Sequence, residues 1–334
     1  MRRQPLLVVL GILAALLAAP AAAGAQPEAA ARLEAPRCPD TLIGSAPTLH
    51  PEGIAYDPLR DRFLVGSLPH GTVSVVNRDG SVRTLVDDPM LITTMGLHVD
   101  LLRGRVLAVN GDVGLAQRST PDTIRKTAGL GIYNLFTGNR IRYVDLGALD
   151  PEHGHFGNDV AVALDGTAYV TDSISGAIYR VPVHGAPSVL VRDDRLTPVV
   201  RGNGANGIVL HPGGFLLVAQ SSGRALYKVP LSNPTMIEQV GVDAPIGAPD
   251  GLLLDRSGGD DGLLAIDNTA ANRVIRLVST DNWHTATLAR NLPWPDPAPT
   301  TMARGRCGIY VLTGRLDLLQ TGTPSDEFRL RRIG

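Results

Sequence analysis

Between residues 205 and 229 the chain reads "ANGIVLHPGGFLLVAQSSGRALYKV": three short apolar runs separated by Gly-containing turns, with a polar residue, Asn206, at the head. Runs of this length, rich in β-branched and other apolar residues and broken by Gly and Pro, predict three consecutive antiparallel strands. The same layout recurs. "EGIAYDPLRDRFLVGSLPHGTVSVV" starts at Glu52, "NDVAVALDGTAYVTDSISGAIYRV" at Asn158 and "DGLLLDRSGGDDGLLAIDNTAANRVIRL" at Asp250; weaker copies start at Met95 and Thr301. After each, a more variable stretch such as "SVLVRDD" can supply a fourth, outer strand.

Six heads at 52, 95, 158, 206, 250 and 301 are spaced by 43, 63, 48, 44 and 51 residues. A repeat of this size predicts an all-β fold, a six-bladed β-propeller with four-stranded blades. The longest step implies an insertion, best placed at "GLAQRSTPDTIRKTAGLG". Helical periodicity sustained over ten residues is missing after the leader, which argues against an α/β fold. A pair of β-sandwiches is the alternative, but it gives no reason for a polar residue at the same place in successive copies.

Residues 1–25 read as a signal peptide: two arginines, an apolar run from Leu6 to Ala19, then small residues ending at Ala25. The run is shorter than the roughly 20 residues of a spanning helix, so an exported protein without stable membrane insertion is expected, periplasmic or extracellular. Residues 26–37 read as a flexible lead-in, and 38–334 as a single propeller domain. The formal charge of −1, with no long run of one sign, argues against a nucleic-acid partner. The chain has two cysteines, Cys38 and Cys307. In an oxidising compartment a bridge between them is expected; two separate thiols are the alternative, since sequence does not give their distance.

In a propeller the first strand of each blade lines the central channel, so equivalent heads converge. Glu52, Asn158, Asn206 and Asp250 then form a hard oxygen set suited to Ca²⁺ and, less well, to Mg²⁺ or Mn²⁺. Without a cation the two carboxylates would repel each other. Four side chains fall short of the roughly 6 to 8 ligands that calcium takes, leaving positions for water or a ligand oxygen. The competing reading is ordinary turn chemistry, because Asn and Asp before Gly are common in turns.

"PEGIAYD", "GNDVAV", "ANGIVL" and "PDGLLLD" resemble the blade starts of the senescence-marker-protein, gluconolactonase and luciferin-regenerating-enzyme family and of its paraoxonase relatives. The resemblance implies a six-bladed propeller with one catalytic divalent metal, usually calcium, that hydrolyses lactones or related esters. It implies metal ligation by Glu52, Asn206 and Asp250, metal or substrate binding by Asn158, and proton acceptance by Asp250. Zn²⁺ stays open as a further metal. Cys38 resembles the N-terminal cysteine of the paraoxonase disulfide, whereas Cys307 matches its partner only loosely. Met95 stands where paraoxonases carry a histidine, which sets their His-dyad chemistry aside.

His153 and His155, in "PEHGHF", are expected on a loop near the channel, with His155 as a candidate substrate-binding or acid/base residue and simple loop exposure as the bland alternative. Asp159, Asp172 and Asn268 are candidates for orienting ligands or for tying strands. Trp283 and Trp294 read as packing residues. Serine-hydrolase motifs are missing. The expected partner is a small-molecule substrate or ligand. A non-catalytic propeller braced by the same metal, and an enzyme of the strictosidine-synthase type, are the other function classes.

Overall fold

A computed structural model describes residues 38–200, 202–269 and 271–334. The signal peptide and lead-in expected at 1–37 lie outside the described residues. Strand pairing resolves the chain into antiparallel sets of four. The first set holds Ile54–Asp57, Arg62–Gly66, Thr72–Val76 and Val82–Asp87, in that spatial order. Five more sets follow, with innermost strands Leu97–Asp100, His155–Val162, Ala205–His211, Pro249–Leu254 and Pro299–Gly305. Each innermost strand touches that of the next set, and the last touches the first, so the ring closes. This is a propeller architecture, and the sets are its blades.

The burial pattern explains the sequence pattern. Arg62–Gly66 and Thr72–Val76 are buried throughout, because each inner sheet is covered on both faces by neighbouring blades. Outer strands such as Val82–Asp87 are largely solvent-exposed. Six apolar clusters lie between consecutive blades. One example joins Leu64 and Val73 of the first blade to Val106 and Tyr133 of the second; another joins Tyr310 and Phe328 of the last blade to Phe63 and Val65 of the first. Trp283 is wholly buried and Trp294 nearly so, which fits packing roles.

The last blade is completed by the N-terminal strand. Thr41–Ser45 pairs antiparallel with Glu327–Arg332, so both ends of Cys38–Gly334 meet in one sheet. Beside this closure Cys38 and Cys307 form a disulfide with a Cα–Cα distance of 5.5 Å. Cys38–Gly334 is one compact unit. Residues 112–125 connect the second and third strands of the second blade, where the insertion was expected. Among the described residues no helix is long and apolar enough to cross a membrane.

At the ends of the innermost strands, buried ion pairs join neighbouring blades. Arg62 Nε donates to Asp57 at 3.0 Å and its Nη2 to Leu135 O of the second blade. Arg105 repeats this with Asp100 and with Gly166 O of the third. Both arginines are buried with their partners, so the fork of the guanidinium satisfies strand and neighbour together.

Candidate functional site

The heads lie at the opposite end of the innermost strands from these ion pairs. Register breaks between Gly157 and Val160, Ala205 and Ile208, Pro249 and Leu252, and Pro299 and Met302 mark the same place in four blades. Asn158, Asn206 and Asp250 occupy it as expected. In the sixth blade the equivalent residue is Thr300, one position before the expected Thr301. Thr300 Oγ1 donates to Glu52 O at 2.8 Å, joining the last head to the first.

The glycine after a head serves close approach, not a turn. A Cβ on Gly53 would lie 2.0 Å from Met95 O, and one on Gly207 would lie 2.2 Å from Asp250 O. Neither glycine has positive φ. Successive heads therefore sit backbone against backbone around the axis, which the turn reading of "EG", "NG" and "DG" does not explain.

Side-chain hydroxyls orient the amides. Ser173 Oγ donates to Ala205 O, so Asn158 presents its Nδ2 to that hydroxyl at 2.9 Å. Ser221 Oγ donates to Pro249 O at 2.6 Å, and Asn206 presents its Nδ2 at 2.9 Å. A hydroxyl has one proton; once that proton goes to a carbonyl, it must accept from the amide. In both residues the amide nitrogen is thereby committed and the amide oxygen is left for another partner. Asn268 holds Asp250 in the next blade, Nδ2 to Oδ2 at 2.7 Å. Ser173 and Ser221 were not singled out in the sequence, although each stands 15 residues after its Asn, a repeated spacing that could have found them.

Asn206 and Asp250 line one hollow, and the charge of Asp250 acts on Glu52. Asn158 joins them through Ser173 and Ala205. Glu52 and Asp250 are 8% and 7% exposed. Burial first, then repulsion from Asp250 and Asp159, holds Glu52 well above the usual carboxylate range. Burial pushes Asp250 up to about 7, against the pull of the Asn268 and Asn206 amides, with Asp159 adding to the rise. Neither Glu52 nor Asp250 forms a salt bridge among the described residues. Two desolvated carboxylates without a salt bridge, and two amide oxygens turned away from their serines, suit a divalent cation. Asn206, Asp250 and Asn268 open onto a hollow of ≈ 290 Å³ rimmed by Asn203, Ser222 and Arg224.

Met95, the second head, is buried in the apolar cluster between the second and third blades, with Leu316 and Leu319 packed against that cluster. His155 corrects its expected placement. It is buried and begins the innermost strand of its blade, with Nδ1 2.7 Å from Asp172 Oδ2 and Nε2 3.0 Å from Asp150 O. Both ring nitrogens are committed, and no substrate-facing atom remains. Burial pushes the imidazole down, but the Asp172 bond more than reverses this and leaves it raised. Asp172 also accepts from the backbone N–H of Phe156, Ile174 and Ser175, which makes it a strand-tying residue. His153, by contrast, is exposed.

The ring of blades with a buried carboxylate and amide group at one channel mouth defines a propeller with an axial polar site. Its fold is shared with several solved structures. The major Malassezia sympodialis allergen Mala s 1 is 20% identical, with a TM-score of 0.72, covering 89% of this chain and 97% of that one. A gluconolactonase from Xanthomonas campestris is 17% identical, with a TM-score of 0.59, covering 88% and 89%. A luciferin-regenerating enzyme is 12% identical, with a TM-score of 0.59, covering 88% and 96%. No protein-family model matches the chain. No curated protein matches it either. The suspected family is thus represented among the proteins that share this fold, at identities that speak for the fold alone.

Proposed function

We propose that the protein is an exported, metal-dependent hydrolase of a lactone or related ester, with Glu52, Asn158, Asn206 and Asp250 as the metal-holding set. The observation that carries this is two buried carboxylates, Glu52 and Asp250, that form no salt bridge among the described residues, with Asp250 opening onto a hollow beside Asn206 and Asn268. The fold shared with gluconolactonase supports the choice of substrate class.

A bound divalent ion, Ca²⁺ foremost and Mg²⁺, Mn²⁺ or Zn²⁺ as alternatives, supplies positive charge that polarises a carbonyl oxygen. The chain's own residues do the rest. Asn158 and Asn206 present oxygen by virtue of their serines. Asn268 fixes one oxygen of Asp250, and the other accepts the proton of the attacking water. The hollow beside Asn203, Ser222 and Arg224 takes the body of the small-molecule substrate. The Cys38–Cys307 disulfide and the leader-like start support export to the periplasm or the extracellular space.

The test is hydrolysis of a panel of aliphatic and sugar lactones and aryl esters, after chelation and after re-addition of each metal. Expected is turnover that chelator abolishes and metal restores, with Asp250→Asn reduced by at least ~100-fold, the scale of losing an acid–base group. Metal binding without turnover under any metal would instead support the non-catalytic, metal-braced propeller.

A further inference from the structure

The channel has a second end. Where the innermost strands run on from the heads, all six contribute to the walls of a chamber of ≈ 340 Å³, apolar over most of its lining through residues such as Leu97, Val160, Ile208, Leu252 and Met302. None of Glu52, Asn158, Asn206 and Asp250 lines it. Of the polar residues His98, Asp159 and Thr301 that also line it, Asp159 is the carboxylate, and it stands where the first, second, fourth and fifth blades carry the glycine that follows the head. Room for it is made by Gly96, whose added Cβ would lie 2.2 Å from Asp159 Oδ1.

Asp159 is half-buried and accepts the backbone N–H of Val160 at 2.8 Å and of Ile208 at 3.2 Å. A carboxylate has about four acceptor sites, so two remain. Among the described residues it forms no salt bridge. Arg304, which also lines the chamber, is already bonded to Asp255 at 2.9 Å. The chamber thus combines apolar walls, one uncompensated negative charge near the heads and room for on the order of ten non-hydrogen atoms, taking about 30 Å³ for each water-sized group.

We propose that this chamber is a second ligand site, for a small apolar molecule bearing one protonated amine that bonds Asp159. The apolar body replaces water along the walls, and the ammonium supplies the charge and donors that Asp159 lacks. The chamber lies at the other end of the channel from the proposed metal-holding set, while Asp159 adjoins Asn158 and its charge acts on Glu52 and Asp250.

Calorimetric titration of the folded, chelator-treated protein at pH 8 tests this, with hexylamine and 2-phenylethylamine against hexanoate and hexan-1-ol. Both amines should bind, and hexanoate at least tenfold more weakly. Asp159→Asn should weaken the amines at least tenfold, and Val99→Phe, which fills the chamber from its wall, should do the same without disturbing the head residues. Asn268→Ala, confined to the other mouth, should change amine affinity less than twofold. Equal binding of hexanoate, unchanged amine affinity in Val99→Phe, or a larger loss in Asn268→Ala than in Asp159→Asn would each overturn the assignment.

Discussion

Asn206 Nδ2 donates to Ser221 Oγ at 2.9 Å, and Ser221 Oγ in turn donates to Pro249 O, the carbonyl just before the next head. Asn158 and Ser173 repeat the relation one blade earlier, ending on Ala205 O. A head amide is therefore oriented by the same hydroxyl that ties its blade to the neighbour. Ser221→Ala removes the hydroxyl partner of the Asn206 amide and should weaken Ca²⁺ binding by roughly 10-fold, at the lower end of losses of outer-shell partners. Ser221→Thr, which keeps the hydroxyl, should restore most of it. Calorimetric Ca²⁺ titration checks this; equal affinity in the wild-type protein and in Ser221→Ala would remove the orienting role.

The carboxylates predict an unusual pH dependence for the metal-free protein. Burial, with repulsion from Asp250 and Asp159, raises Glu52, and burial, with repulsion from Asp159, raises Asp250 to about 7, from ordinary values of about 4. Between those values the folded state binds more protons than the unfolded chain, so stability rises as pH falls from 8 towards 5. His155 acts in the same direction: its raised folded value gives stability that is complete at low pH and lost as pH rises through that value. Scanning calorimetry in chelator should show Tm increasing on acidification over this range, less steeply in Glu52→Gln/Asp250→Asn and with added Ca²⁺. A Tm that is flat or falling over the same range, or an unchanged slope in the double variant, would contradict the assignment.

Closure of the ring gives a third expectation. The disulfide spans 269 residues and anchors the approach to Thr41–Ser45, the strand that completes the last blade. Cys38→Ser/Cys307→Ser should lose roughly 2 to 5 kcal/mol of stability by constraining the unfolded chain less. Hydrogen exchange should speed up first in Thr41–Ser45 and Glu327–Arg332. Uniform exchange across all blades would show that the bridge does not act as a local clasp.

Gly207 is expected to tolerate no side chain. In Gly207→Ala the new methyl would meet Asp250 O at 2.2 Å, between two inner strands with little room to move. A loss of about 1 to 3 kcal/mol is expected, the usual cost of overpacking. Gly214, whose added Cβ meets nothing within 4 Å, but whose φ of +82° strains any L-residue, separates crowding from conformational cost. Chemical denaturation of Gly207→Ala and Gly214→Ala measures both. Weaker Ca²⁺ binding should accompany the loss only in Gly207→Ala.

Much of this architecture could be read along the chain. The alternation of short apolar runs and Gly-containing turns is a local property, and its recurrence at Glu52, Asn158, Asn206 and Asp250 fixed the blade layout and the candidate heads. The sixth head was displaced by one residue because "PTTMARG" offers adjacent threonines, and only pairing of Pro299 with Thr313 distinguishes them. His155 read as a loop histidine because "PEHGHF" has the composition of a loop. Parallel pairing of His155 with Lys126 and of Phe156 with Thr127 extends the strand back to it, and burial against Tyr179 and Asp172 then commits its ring.

What the sequence determined by itself was the repeat: strand periodicity and turn chemistry depend on neighbours a few residues apart. The tertiary structure decided the rest, because the relations involved span hundreds of residues. Thr41 pairs with Arg331, Thr300 bonds Glu52, and the glycines after the heads are needed because atoms of the next blade lie against them, a carbonyl at Gly53 and Gly207 and a side chain at Gly96 and Gly251. The same holds for Asp159, an ordinary aspartate in "GNDVAV", which becomes an uncompensated charge in an apolar chamber once the other five inner strands surround it.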